Sequence, residues 1–227
     1  MTKRIGILGG ISHESTIAYY DLILRKYFAR EGNYYYPEVV IFSLDFQRFT
    51  DYEDRREMEP YIDYIMEGVE ALQNAGADFI AMSANSPHSV AGEINARAAV
   101  PLLSIVDVTM QAATRAKLRR LLLLGIRYTM QSTFYQAAGQ AAGIEVIVPD
   151  EDEQDEINRI VFEELSRHEI KAESRATLQA IISRHPADGV ILGCTELPLI
   201  LRPVDACIPL LDTVDLHTTA ILDYALS

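Results

Sequence analysis

The sequence predicts an α/β protein built from two similar lobes, each with a parallel sheet covered by helices on both faces. Three observations lead there. Short continuous apolar runs alternate with longer segments of helical period, the pattern of strands buried on both sides. This alternation occurs twice along the chain, and each time a glycine turn closes the first strand, at Gly9-Gly10 and at Gly125. The 227 residues are 49% hydrophobic, enough for one large domain or two small ones, each with its own core.

Residues 4–9 read as a buried strand, and 14–31 as a helix with Ile17, Tyr20, Ile23, Leu24, Tyr27 and Phe28 on its apolar stripe. Residues 38–43 give a second strand, 60–74 a helix closed by Gly76, and 78–82 a third strand. A helix follows Pro87, and 102–105 is a fourth strand. In the second half, 121–124 is a strand ending at Gly125, 128–142 a helix and 144–148 a strand. Helices at 152–167 and 172–184 precede strands at 189–192 and near 208–211, and a last helix runs from 213 to 225. The acidic run Asp150–Glu156 reads as a solvated loop entering a helix N-terminus. Domain boundaries follow: 1–103 form the first lobe, joined by the C-terminal helix at 213–227, and 104–212 form the second.

Composition narrows the function classes. The formal net charge is −13 and the sequence pI near 4.8, so the surface repels phosphate backbones and anionic membranes. No nucleic-acid or membrane partner is expected. Two cysteines, Cys194 and Cys207, are too few for a disulfide framework and fit a reducing compartment. No run approaches the roughly 18 apolar residues of a membrane span. Lys3-Arg4 precedes an apolar run that Gly9-Gly10 interrupts, unlike a secretory signal. A cytoplasmic protein is expected.

Ligands of open parallel sheets bind beyond the carboxyl ends of the strands, where helix N-termini present free N–H groups. Four turns carry small polar residues at such places: Gly9-Gly10-Ile11-Ser12, Asn85-Ser86, Tyr128-Thr129 and Cys194-Thr195. One alone is commonly a helix cap; four at matching positions point to a site for carboxylates. Phosphate-loop and dinucleotide readings fail on spacing, since Gly6-Ile-Leu-Gly-Gly is not G-x-G-x-x-G and no Gly-Lys-[Ser/Thr] follows. The five histidines are scattered without H-E-x-x-H or C-x-x-C, so no metal site is expected. His88 and His217 each lie in a helix opening near a candidate turn. Cys194 ends a strand and faces a helix start, a position expected to lower its thiol pKa and favour thiolate chemistry. Cys207, in Val-Asp-Ala-Cys-Ile-Pro, reads as structural.

These motifs resemble the aspartate/glutamate racemase family over the whole chain. The matching stretches are Gly6-Ile-Leu-Gly-Gly-Ile-Ser-His-Glu-Ser-Thr16, Ala84-Asn-Ser-Pro-His88, Gly125-Ile-Arg-Tyr-Thr-Met130, Gly193-Cys-Thr-Glu-Leu197 and Asp212-Thr-Val-Asp-Leu-His217. The resemblance implies two flavodoxin-like lobes related by a pseudo-twofold axis, an active site in the cleft between them, and a homodimer. It implies amino-acid racemisation with no cofactor, neither pyridoxal phosphate nor metal. Two cysteines, one per lobe, would flank the α-carbon of a small acidic amino acid, one taking the proton and the other returning one to the opposite face. The site would stabilise the carbanion with oriented N–H groups. By the match, Asn85, Ser86, Thr129, Thr195 and His217 would hold substrate groups, Ser12 would line the opening turn, and Arg48 would pair the distal carboxylate.

Two departures stand out. Ala84 replaces the first-lobe cysteine, and Ile126 stands where related sequences commonly carry Thr. Three explanations fit. The chain is a racemase of aspartate or glutamate, with Ser83, His88 or a water acting on the Ala84 side and Cys194 giving an L-bias. Alternatively, it uses a single cysteine, as an arylmalonate-type decarboxylase does. Or it is a catalytically silent binder or an inactivated variant. Polar residues in Ser43–Arg48 and Tyr128–Ser132 suit a dicarboxylate better than an aryl group, which favours the first.

Overall fold

The computed structural model describes residues 2–227. The chain divides into two compact units: the residues through Ile105 together with His217–Ser227, and Val106–Leu216.

In the first unit, β1 (Ile5–Gly9) is the central strand and every residue of it is buried. Burial on both faces is why the run is apolar throughout rather than alternating. Gly9 leads into Gly10, whose φ of +82° takes the chain into α1 (His13–Glu31). A Cβ on Gly10 would stand 2.2 Å from the Leu44 carbonyl oxygen, so the turn requires glycine. β2 (Val39–Ser43) follows, then α2 (Phe46–Arg55) and α3 (Met58–Asn74), and β3 (Phe79–Met82). A tight 3-10 turn at Ser86–Val90 runs into α4 (Ala91–Arg97). The sheet is parallel in the order β2-β1-β3, with Ile7 opposite both Ile41 and Ala81. Leu8, Phe49, Tyr61, Ile65, Leu72 and Met82 pack the core on one face.

The second unit repeats this plan. α5 (Ile105–Arg115) leads to β4 (Arg120–Leu124), α6 (Arg127–Gln131), α7 (Phe134–Ala141) and β5 (Glu145–Ile147). Then come α8 (Glu151–Arg159), α9 (Ala172–Arg184), β6 (Gly189–Leu192), α10 (Leu197–Ile200), β7 (Leu210–Asp212) and α11 (Thr213–Leu226), which belongs to the first unit from His217 onward. The sheet order is β5-β4-β6-β7, all parallel. In the first unit Leu102 pairs with Ile80 as an isolated parallel bridge beside β3, the place β7 takes beside β6. The duplication is thus one strand order used twice.

Several elements depart from expectation. The strand at 102–105 shrinks to the Leu102 bridge, because Ile105 already starts α5. α2 and α5 lie where no element was expected. On α1 the buried stripe is Ser15, Thr16, Tyr19, Ile23 and Tyr27, whereas Ile17, Tyr20 and Phe28 are exposed. Small residues are needed there: a Cβ on Gly9 would overlap the Thr16 side chain at 2.4 Å, and a bulkier residue at 16 would push the helix off β1. The expected helix 128–142 breaks between α6 and α7, where Ser132 turns extended and its N–H and hydroxyl both donate to the Tyr128 carbonyl. The helix at 152–167 holds only to Arg159, then loosens through a π turn at Ile160–Glu164 and a 3-10 turn at Leu165–Arg167. The acidic run is the start of α8: Asp150 caps it, with Glu153 completing the capping box. Among the described residues no helix is long and apolar enough to cross a membrane.

Candidate active site

In both sheets the chain reverses its direction of strand addition after the central strand, so each unit has a switch point at the carboxyl ends of two neighbours, β1 and β3 or β4 and β6. Crevices form there because the following helices depart to opposite faces. The four turns singled out by sequence occupy these ends.

In the second unit, glycines let the two turns close on each other. A Cβ on Gly125 would lie 3.1 Å from the Gly193 carbonyl oxygen and 3.3 Å from the Thr129 Cβ; one on Gly193 would lie 3.6 Å from the Thr129 methyl. Thr129 is buried on α6, and its hydroxyl has no hydrogen-bond partner. Leaving a buried hydroxyl unpaired costs about 1–3 kcal/mol, which suits a donor held ready for an absent acceptor. Ile126, at the N-cap of α6, has no hydroxyl to cap the helix. Across the turn, the partly buried Cys194 donates its S–H to Glu196 Oε2 at 2.9 Å, and the Thr195 hydroxyl donates to the same oxygen at 2.8 Å.

That geometry corrects the expected thiol chemistry. Burial, reinforced by the charge of Glu196 and the hydrogen bond to it, pushes the Cys194 thiol well above its ordinary pKa. The helix that was expected to lower it, α10, is a single four-residue turn. Cys194 therefore rests as a thiol with a carboxylate aligned to take its proton. Transfer from sulfur to oxygen converts thiol and carboxylate into thiolate and carboxylic acid without placing two anions side by side. Glu196 went unassigned in the sequence reading, although it lies in the same motif.

In the first unit, Ser12 caps α1 by accepting from the Ser15 N–H at 3.3 Å. Ser15 donates to the Ser83 carbonyl, and Thr16 accepts from the Gly10 N–H at 2.8 Å. These bonds tie the opening turn to the end of β3. There, Ala84 presents a buried methyl with no proton to exchange, and the Ser83 hydroxyl donates inward to the Leu8 carbonyl at 3.3 Å. Asn85 and Ser86 are both buried. The buried carboxyl of Glu53, on α2, accepts from the Tyr61 hydroxyl at 2.9 Å. Glu53 is a second group that sequence reasoning missed.

His88 and His217 sit differently from the active-site groups they were expected to be. His88 Nδ1 bonds the Ala84 carbonyl at 3.0 Å, and its Nε2 accepts from the Ile105 N–H at 3.2 Å. His217 Nδ1 faces the Tyr19 hydroxyl at 2.9 Å, and its Nε2 bonds the Leu103 carbonyl at 3.0 Å. Their rings meet edge to face with centroids 6.1 Å apart. Burial pushes His88 down to about 4 and, with the neighbouring His88, His217 down to about 3. Both are neutral ties, and neither has a ring nitrogen left for a substrate. Arg48 is exposed on α2, its guanidinium 4.0 Å over the Tyr64 ring and 3.4 Å from Glu67. Among the described residues no group of three or more His, Cys, Asp or Glu side chains is arranged to hold a metal ion.

Comparisons with known proteins show the family. Residues 8–221 match the Asp/Glu/hydantoin racemase family. The broad-specificity amino-acid racemase RacX of Bacillus subtilis (strain 168) is 30% identical over 215 residues, covering 92% of either chain. Among solved structures, a provisionally assigned Asp/Glu racemase from Yersinia pestis superposes with a TM-score of 0.92 at 34% identity, covering 99% of this chain and 100% of that one. An aspartate racemase homologue from Pyrococcus horikoshii OT3 gives 0.86 at 33% identity, with the same coverage. With matches of this extent, the chain belongs to the Asp/Glu/hydantoin racemase family and is an isomerase by that membership.

Proposed function

We propose that the protein racemises a small acidic amino acid, aspartate or glutamate, with Cys194 as the acid–base group on one face of the α-carbon. The observation that carries this is the Cys194–Glu196 pair beside the unpartnered hydroxyl of Thr129. Glu196 takes the thiol proton; the thiolate removes the α-proton from the L-substrate and returns it in the reverse direction. Thr129 donates to the α-carboxylate, whose charge rises as the carbanion forms, so that bond strengthens toward the transition state. Thr195 orients Glu196, while Asn85, Ser86 and the turn at Ser12 hold the remaining polar groups. Arg48, fixed by stacking on Tyr64, pairs the distal carboxylate. No thiol stands at position 84, so turnover favours L-substrates, which begin at Cys194. The exposed apolar residues Ile17, Tyr20 and Phe28 on α1 fit a homodimer.

Chiral chromatography of L-Asp, L-Glu and their D-forms tests this directly. The protein should convert the L-acids, and Cys194→Ala should lose turnover by at least about 100-fold. Activity unchanged in that variant removes Cys194 from the chemistry, and no conversion of any form by the unsubstituted protein sinks the racemase reading.

A further inference from the structure

Cys194 and Thr129 use the β4–β6 end of the second sheet; the carboxyl ends of β6 and β7 carry a further concavity. A cleft of about 320 Å³ opens there between the segment after α10 and the start of α11. Leu192 of β6, Leu201, Leu210 of β7 and Leu216 of α11 give it an apolar lining, which three charged side chains share: Arg202, Asp212 and Asp215. We propose that this cleft binds an apolar α-amino acid as its zwitterion. The ammonium meets Asp212 and Asp215, the carboxylate meets Arg202, and the side chain lies on the leucines.

The walls are set before any ligand arrives. Leu201 turns extended after α10, and Pro203 opens a 3-10 turn at Pro203–Asp205. Two side chains of α9 pin this segment: Arg175 Nε donates to the Ile200 carbonyl at 2.9 Å, and Gln179 Nε2 to the Asp205 carbonyl at 2.8 Å. Asp205 accepts from the Arg202 N–H at 2.9 Å and lies 3.5 Å from its Nε, which steadies the arginine. A guanidinium has N–H donors enough for both Asp205 and a ligand carboxylate. On the other wall, Asp212 Oδ1 accepts from the Val214 and Asp215 N–H groups at 3.0 and 3.1 Å, which fixes its carboxylate at the N-terminus of α11. Prearranged walls lower the ordering cost of binding.

Size and charge choose the occupant. Ligand sites run from about 300 to 1,000 Å³, so this one suits a molecule of amino-acid size. A lone carboxylate would face two like charges, and a lone ammonium would face the guanidinium; a zwitterion complements both signs. Helix capping accounts for Asp212 but not for an arginine and four leucines around the same cleft. Leu210 and Leu216 are only partly buried, and a branched apolar side chain would cover them. An acidic side chain would meet leucines there, so this ligand differs from the acidic substrate proposed for Cys194.

L-Leucine is the probe, titrated calorimetrically into the full-length protein. It should saturate with a Kd of about 1 mM or tighter. 3-Methylbutylamine and 4-methylpentanoate, each lacking one charged group, should bind at least about 10-fold more weakly. Arg202→Gln and Asp215→Asn, both at exposed positions, should weaken leucine binding by the same factor with Tm unchanged. Cys194→Ala should bind leucine as wild type does, and equimolar L-aspartate should not displace it. Absence of saturable binding, a truncated probe that matches leucine, or variants that keep wild-type affinity would overturn the proposal. So would loss of binding in Cys194→Ala or displacement by L-aspartate, either of which puts leucine at the Cys194 site.

Discussion

Thr129→Val makes stability and binding move in opposite directions. In the free protein the Thr129 hydroxyl is buried, 1% exposed, with no hydrogen-bond partner. Valine keeps the shape and the methyl contacts against Gly125 and Gly193 but removes the unpaired group. An unsatisfied buried hydroxyl costs about 1–3 kcal/mol, so the variant should be more stable by about 1 kcal/mol or somewhat more. For a chain of this size, 1 kcal/mol corresponds to a rise in Tm of roughly 2–4 °C. Binding should weaken, because a hydrogen bond to a charged carboxylate contributes about 1.5–3 kcal/mol, a loss of roughly 10- to 150-fold. Calorimetric melting reads the first effect, and the KM for L-aspartate and L-glutamate reads the second. A variant that melts lower and binds as well as wild type would show Thr129 to be an ordinary core threonine and refute the reasoning.

The remaining predictions concern protons. Glu196→Gln keeps an amide oxygen to accept from Cys194 but removes the charge that, after burial, raises its thiol, so the pH midpoint of iodoacetamide alkylation should move down. Turnover should fall by about 10²–10⁴-fold with the loss of the base, and undiminished turnover would exclude Glu196 from that role. Folding stability should also report the buried groups between pH 4.5 and 6.5. His88 and His217 are depressed in the folded state, so they stay neutral while the unfolded chain binds their protons; stability is full above pH 6.5 and falls with pH. Glu53 is raised, so it contributes the opposite sign, stability present below pH 4.5 and lost toward 7. The net is one proton, about 1.4 kcal/mol per pH unit; Glu53→Gln should steepen the slope to about 2.7. Urea titrations at several pH values measure it, and an unaltered slope would mean that Glu53 ionises as it does in the unfolded chain.

The sequence carried the strands best. β1, β3 and β6, and β4 from Leu121 onward, are buried on both faces, so each leaves an unbroken apolar run. α2 left almost no such trace, since only Phe49 and Glu53 of its ten residues are buried. Its one readable signal is Asp45, which caps the helix by accepting from the Arg48 N–H. α5 opens Ile-Val-Asp-Val-Thr, a β-branched stretch of weak helix propensity, so no helix was expected there and tertiary packing overrides the local preference. On α1 the error lay in choosing the stripe by apolarity, whereas the packed face uses Ser15 and Thr16 for their size and their bonds to backbone. The turns of the candidate site were legible because glycine and small polar residues cluster there. The protonation chemistry was not: Glu53 and Glu196 matter through what they touch, and Cys194 is raised by burial and by a neighbour two residues away rather than lowered by a helix.

Solvent deuterium at Cα of L-aspartate and L-glutamate is the most direct measure of whether Cys194 exchanges the α-proton. NMR in deuterated buffer should show the α-proton of at least one acid washing out while its D-enantiomer accumulates, and Cys194→Ala should stop both. An α-proton that persists in both L-acids over a long incubation with the folded wild-type protein would contradict the account.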